Sequence, residues 1–477
     1  MKKIRSIHFV GIKGVGMAPL AIIAREAGFV VTGCDISDTF ITDEPLGKSG
    51  IAPLVGFSVD HIENIDLVIT TGAHGGFDNP EVVLAKEKGI PVWTQGQAVG
   101  EFMKGEIFNR QQIGVSVTGS HGKTTTTAML ATVFKENRMD PSFVIGTGDV
   151  PSLGSCGHFG RGKYFIAEAD EYATEPTYDK TAKFLWQHPD ILIFTNIEMD
   201  HPDMYESVDA IRIAFLQFAK QLPPRGVLIA YGGDLQIQKL LKEYNGRVIT
   251  FGYTEDNDFV VTSINISGNQ TFFWVSTHGS SLGEFVLAIP GEHNALNAVA
   301  VIIAALECGV SIEKIKKGLT LYTGSKRRSE YIGVLPSGAL LFDDYAHHPT
   351  EIRKTLKAFR KRFPKLKLVC IFQPHTYSRT KSLFEEFSSS FIDANTIIIS
   401  NIYASLREKP DPSVSSKQLA EKIRQTGKDV LFMPELSDVV EYVKQKQYGK
   451  DTVVITMGAG DIYKINEKLI DSETSSE

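Results

Sequence analysis

Two glycines, a histidine, a lysine and a run of threonines stand together at Gly119-Ser120-His121-Gly122-Lys123-Thr124-Thr125. Glycines at 119 and 122 let successive backbone N–H groups turn toward one anion without a Cβ in the way. A lysine directly after such a turn reaches the terminal phosphates of a nucleotide, and the next threonine hydroxyl ligates Mg2+. These residue types suit ATP. The spacing departs from G-x-x-x-x-G-K-[ST], because Val117 occupies the place of the first glycine. The apolar run 113–118 predicts a strand before the turn, and residues from 123 onward predict a helix after it, the context a phosphate cradle requires.

Further groups capable of chemistry fall at the ends of apolar runs. The run from Tyr164 delivers Glu168, Asp170 and Glu171, and the run from Ile191 leads to Asp200, His201 and Asp203. Open α/β sheets place ligands at the carboxyl ends of their strands, and hard oxygen donors there suit Mg2+. Near the start, Gly11, Gly14 and Gly16 form a glycine turn, with Asp35 roughly 20 residues on, where a doubly wound domain places a carboxylate for a ribose. Their order is G-x-x-G-x-G and not G-x-G-x-x-G, so a nucleotide site and a purely structural turn both remain open. His293, Asn294 and Asn297 lie on the first turns of a predicted helix, where Asn294 equally suits a cap. Asp344, Tyr345, His347 and His348 follow one predicted strand, and His375 and Arg379 follow another. Adjacent loop histidines rarely face one ion, so 347–348 does not announce a metal site.

The elements that must position these groups alternate strand and helix throughout. The expectation is an α/β protein of three domains, each a mostly parallel sheet with flanking helices, with Rossmann-like first and last domains around a central phosphate-loop ATPase domain. A chain of 477 residues with 42% hydrophobic content is too long for a single core. Boundaries are placed at 1–108, 109–322 and 323–477. The net charge of −6 gives no general attraction to nucleic acid or anionic membrane. Four cysteines, Cys34, Cys156, Cys308 and Cys370, form no C-x-x-C pair, which implies neither a zinc site nor a disulfide framework and fits a reducing cytosol. No run is long and apolar enough for export or a membrane span, so the expected location is the cytoplasm, as a monomer or homodimer. The last residues, 471–477, cannot bury apolar surface and are expected to be disordered.

In this order, the stretches Gly11-x-x-Gly-x-Gly-Met, Thr118-Gly-Ser-His-Gly-Lys-Thr-Thr-Thr-Thr, Glu168-Ala-Asp-Glu, Asp200-His201, His293-Asn-x-x-Asn, Arg327-Arg328, Asp343-Asp-Tyr-Ala-His-His-Pro-Thr-Glu, Phe372-Gln-Pro-His-x-Tyr-Ser-Arg-Thr and Met457-Gly-Ala-Gly-Asp-Ile resemble the Mur ligases of peptidoglycan assembly. The shortened phosphate loop is the form that family uses. The resemblance implies ATP-dependent amide ligation, through an acyl phosphate, of L-alanine to the lactyl carboxylate of UDP-N-acetylmuramate. It further implies Lys123, Arg327 and His201 as catalytic groups, and Thr124, Glu168 and His201 as Mg2+ ligands. Residues 119–125 with His293, Asn294, Asn297, Arg327 and Asp344 would hold ATP. Gly11, Gly14, Gly16 and Asp35 would serve the UDP moiety, and Tyr345, His348, His375 and Arg379 the amino acid. The segment from Tyr172 is longer than in the L-alanine enzymes and resembles a recycling ligase that adds a tripeptide, the alternative amine. Residues 11–35 taken alone also match a nicotinamide dehydrogenase, and the phosphate loop alone a non-enzymatic ATP switch.

Overall fold

The structure is a computed structural model that describes residues 4–404 and 408–471. The expectation for 472–477 lies outside the described residues. The first sheet has five parallel strands in the order Leu54–Val55, Val30–Asp35, Ser6–Val10, Leu67–Thr70, Val92–Thr94. Ser6–Val10 is buried along its whole length, Ser6 and His8 included, as a strand covered on both faces must be. Local signals fix the helices around it. Asn79 accepts a hydrogen bond from the Glu81 N–H and Pro80 occupies the first position of helix Pro80–Glu87, while Thr94 and Gln97 form a capping box on Gln95–Lys104.

The central sheet has ten strands. Its parallel middle runs Arg247–Gly252, Val227–Tyr231, Ile191–Phe194, Ile113–Thr118, Tyr164–Glu168, Ser142–Val144, which puts the glycine turn at 119 between the ends of two neighbouring strands. One edge departs from the strand-then-helix expectation. Phe259–Ser267, Gln270–Thr277 and Ser280–Leu287 form an antiparallel meander, whose inward Phe273, Val275, Phe285 and Leu287 share one core with helices Glu292–Glu307 and Ile312–Leu321. The third sheet has six strands in the order Glu330–Val334, Leu340–Asp344, Thr452–Met457, Lys367–Phe372, Thr396–Ile399, Asp429–Phe432, parallel except for the first pair.

The three domains are not joined equally. Val144, Cys156, Phe165 and Ala167 of the central sheet belong to the same apolar cluster as Ile7, Phe9 and Leu20 of the first. A central-domain hairpin, Ala173–Glu175 with Asp179–Ala182, also lies against the first domain, its Tyr178 hydroxyl donating to the Asp78 carboxylate at 2.8 and 2.9 Å. Its fit is tight: a Cβ at Gly76 would stand 2.1 Å from a Glu175 carboxylate oxygen, and one at Gly72 would stand 2.6 Å from Pro176. This hairpin is the segment whose length pointed to a tripeptide substrate, and it faces the first domain rather than the third. The third domain, by contrast, gathers its buried apolar side chains in two clusters of its own, drawn from residues 335–469. Hydrogen bonds and ion pairs join its face to the central domain.

Candidate active site

Strand Ile113–Thr118 ends at Gly119, whose φ of 140° and the 2.0 Å approach of Thr195 Oγ1 to a notional Cβ exclude any larger residue. The turn is pinned from the next strand end. Ser120 Oγ donates to Glu198 O at 3.0 Å, the His121 N–H donates to Asn196 Oδ1 at 2.9 Å, and Thr195 Oγ1 donates to His121 O at 2.6 Å. Gly122, at φ 86°, then opens the 14-residue helix Lys123–Glu136, so the dipole and free N–H groups of its first turn point into the cradle. Lys123 Nζ donates to Gly119 O and to both oxygens of Glu171, the latter at 3.2 and 2.9 Å. Burial opposes its charge, but Glu171 and Asp170 hold the ammonium well above its ordinary pKa. Thr124 Oγ1 donates to Glu168 Oε2 at 3.1 Å, and burial pushes the Glu168 carboxyl up despite the nearby Arg328 and Lys123. His201 forms a second group with Asp170 and Glu171, their ligand atoms lying within 4.8 Å of one another.

Beside the cradle opens a cavity of about 370 Å³, bounded by Thr125, Asn196, His293, Asn297, Tyr322 and Lys354. His293 is neutral, its pKa lowered to about 4 by burial. Asn294 does not cap its helix: its amide donates to Pro290 O at 2.8 Å, one turn back. Asn297 instead lies under the cradle, its Oδ1 2.9 Å from where a Cβ at Gly122 would stand.

The two adjacent arginines diverge, and only one reaches this site. Arg327 and Ser329 both adopt positive φ, 59° and 49°, which twists successive side chains apart. The Arg327 guanidinium turns into the third domain, where Nε donates to Asp343 at 3.0 Å and Nη1 and Nη2 donate to the carbonyls of Gly460 and Gly458 at 3.2 and 2.5 Å. Three of its five N–H groups are engaged there and its side chain is buried, so it is turned away from the cavity where it was expected to hold ATP. Arg328 instead faces the cradle, donating to Thr124 Oγ1 at 3.3 Å across the seam. Asp344 likewise shapes its own loop, accepting from the Ser329 N–H, the Ser329 hydroxyl and the Ala346 N–H at 2.7, 3.0 and 2.8 Å.

Other expected residues of the third domain form the seam itself. Arg379 donates Nε and Nη2 to Asp200 Oδ1 at 3.0 and 2.9 Å, both side chains being buried. His348 caps helix Pro349–Arg362: its Nδ1 accepts from the Thr350 N–H, which leaves the proton on Nε2 to donate to Met199 O at 3.1 Å. Burial and the nearby His121 charge lower its pKa to about 4. Tyr345 lies between the two guanidiniums, 5.1 and 4.9 Å from their centres, and His375 stacks on Tyr403.

Sequence reasoning missed the charges that gather on His121. Glu198 of the central domain and Glu351 of the third approach its two ring nitrogens at 3.5 and 3.2 Å, too far out of line for hydrogen bonds. Burial alone would neutralise this imidazole, but the Glu351 and Glu198 charges hold its pKa up to about 9. Against its own burial, Glu198 is held down to about 2 by His121. The pairing of Glu351 with His348 three positions earlier, a capping-box spacing, was the signal available in sequence.

In the first domain, Asp35 accepts the Lys13 N–H at 2.8 Å and lies 3.3 Å from His74 Nε2, so its carboxylate holds the glycine turn in shape. Gly11, at φ 76°, starts that turn, Gly14 donates back to Gly11 O, and Gly16 abuts the Gln95 amide, 3.2 Å from a notional Cβ.

Two outcomes are expected. Arg327→Ala strands buried Asp343 without its cation and lowers stability by about 3–5 kcal/mol in denaturant unfolding, whereas Arg328→Ala, at a more open position, changes it by less than about 1 kcal/mol; equal losses would refute the division of roles. Because the His121 pKa is raised on folding, its contribution to closure is complete below about 6.5, the free imidazole value, and disappears as pH rises through about 9. Small-angle scattering should therefore show the chain expanding over that window, and His121→Gln should remove the dependence.

Three family models match the chain: "Mur ligase family, catalytic domain" over residues 6–106, "Mur ligase middle domain" over 117–305 and "Mur ligase, glutamate ligase domain" over 327–460. The UDP-N-acetylmuramate–L-alanine ligase of Desulfitobacterium hafniense is 40% identical over 97% of this chain and 99% of its own length. That of Acetivibrio thermocellus is 41% identical over 98% of this chain and 96% of its own. Among solved structures, the UDP-N-acetylmuramate–alanine ligase of Thermotoga maritima superposes with a TM-score of 0.80 at 28% identity, covering 98% of each chain. With the three family models matched in order along the chain and relatives about 40% identical over nearly its whole length, the chain belongs to the Mur ligases.

Proposed function

We propose that this chain is an ATP-dependent ligase that joins L-alanine to the lactyl carboxylate of UDP-N-acetylmuramate through an acyl phosphate, a cytoplasmic step of peptidoglycan precursor synthesis. The observation that carries this reading is the seam at which Arg328 of the third domain meets Thr124 of the phosphate cradle, in a chain whose curated relatives over nearly its full length are alanine ligases. Among the described residues no helix is long and apolar enough to cross a membrane. The working division is 1–108 for the UDP-sugar, 109–322 for ATP and 323–477 for closure and the amine.

Attack of a carboxylate on the γ-phosphate brings two anions together, so the protein's task is to spread charge. Lys123 stands at the mouth of the cradle and exchanges its Glu171 partner for phosphate oxygens. Arg328 approaches from the opposite side as the third domain seats. The residues fit a divalent cation, with Thr124 and Glu168 beside the cradle and Asp170, Glu171 and His201 as a second group. Mg2+ held there would screen the phosphate charge. His293 and Asn297 flank the base end of the cavity, and Gly11, Gly14 and Gly16 offer backbone to the UDP moiety with Asp35 as their brace. His348 and Arg379 act by fixing the seam, which excludes water from the acyl phosphate, while Tyr345 and His375 line the entry of the amine.

Purified protein with ATP, Mg2+, UDP-N-acetylmuramate and a panel of amines is expected to release ADP and phosphate with L-alanine. Product masses showing turnover only with L-Ala-γ-D-Glu-diaminopimelate would move the chain to the tripeptide reading, which the hairpin's place against the first domain does not favour. Lys123→Ala should cut kcat by more than about a hundredfold; an unchanged rate would remove it from the mechanism.

A further inference from the structure

Beneath the glycine turn of the first domain, four side chains from four elements converge on one point. His8 comes from strand Ser6–Val10, Cys34 from Val30–Asp35, His61 from the turn Val59–Ile62 and Glu81 from helix Pro80–Glu87. His8, Cys34 and Glu81 are fully buried. His8 Nε2 lies 3.0 Å and Cys34 Sγ 3.1 Å from Glu81 Oε2, while His61 Nδ1 lies 2.8 Å from Glu81 Oε1. One ligand atom from each of the four falls within 4.8 Å of every other. None of them belongs to the ATP cradle or its carboxylate groups.

We infer that His8, Cys34, His61 and Glu81 form a site for a zinc-class divalent cation. Zinc bonds of about 2.0 to 2.3 Å place tetrahedral ligand atoms about 3.3 to 3.8 Å apart, so the three contacts to Glu81 need to open by a few tenths of an ångström and the remaining pairs, all within 4.8 Å, to close by at most about 1 Å. A mixed set of two imidazoles, a thiol and a carboxylate is the donor chemistry of zinc and not of Mg2+, which takes oxygens. Charge also balances: one thiolate and one carboxylate neutralise a divalent ion, and two neutral imidazoles complete it, leaving no net charge in the core. On binding, the cation displaces the Cys34 proton to solvent, and the sulfur lone pair forms the new bond. The outer contacts that orient such ligands are present: Thr32 Oγ1 sits 2.8 Å from His8 Nδ1, and the Ser58 N–H donates to Glu81 Oε1 at 2.8 Å. The His61 side chain keeps 18% of its surface exposed and gives the ion a way in. The Cys34 carbonyl accepts the N–H groups of both Gly11 and Ile12, so an ion at this point braces the glycine turn directly.

The test uses the full chain purified without chelators, dialysed against Zn2+ and then buffer, with metal content read by mass spectrometry, and separately loaded with Co2+. The expected result is one tightly held zinc per chain and a thiolate-to-cobalt charge-transfer band, both lost in Cys34→Ser, which keeps a hydroxyl donor for Glu81 and the fold by circular dichroism. His61→Gln, at the more open position, should lose the zinc as well. Absence of retained zinc in the unsubstituted chain would overturn the site. Zinc retained undiminished in both variants, without a charge-transfer band, would also overturn it and place the ion at Asp170, Glu171 and His201.

Discussion

The third domain seats on the central one through a buried ion pair, between domains whose apolar clusters are separate among the described residues. Arg379 reaches from the third domain to Asp200 in the central one, and the Asp200 carboxyl is held well below its ordinary range against its own burial. Removing two charges from water costs nearly what their attraction returns, so a pair of this kind contributes direction more than net affinity. Such a contact suits a surface that must separate in every cycle. An apolar seam of the same area would hold the domain shut.

Around that pair the other seam contacts are graded by what they touch. His348 reads a backbone carbonyl at Met199, Thr350 donates to Glu198, and Glu351 faces His121. Each partner lies on the stretch that pins the phosphate loop, from His121 to Asp200. The third domain thus touches the cradle through residues that shape it, beside the Arg328 contact to Thr124. In the mechanism proposed above, this shared set of side chains couples closure to the exclusion of water.

Much of this was legible in the chain. The run from Gly119 to Thr125 announced a phosphate cradle because turn, lysine and threonine each need their neighbours, and the order of motifs gave the family and the three α/β domains. Less local features were hidden. Nothing in Arg327-Arg328 reveals which guanidinium faces phosphate, since that is decided by two left-handed residues and by the Asp343 carboxylate waiting inside the third domain. Asp35 and Asp344 matched ligand positions by spacing, yet their oxygens are occupied by backbone N–H groups that only the folded turns bring near. The meander over 259–287 lacks the strand-then-helix rhythm of its surroundings and so went unread. His8, Cys34, His61 and Glu81 are scattered over more than seventy positions, and no spacing rule joins them.

The hairpin at 173–182 has a further consequence. Because it is wedged against Gly72 and Gly76, and because the first and central domains share one apolar cluster, these two are packed into one core, whereas the third keeps apolar clusters of its own. Recombination between relatives should respect that division. A foreign third domain needs to match a polar register spread over Thr124, His121, Glu198 to Asp200 and Glu292, together with Asp38 and Thr39 of the first domain, but a foreign first domain must bring its own hairpin along with it.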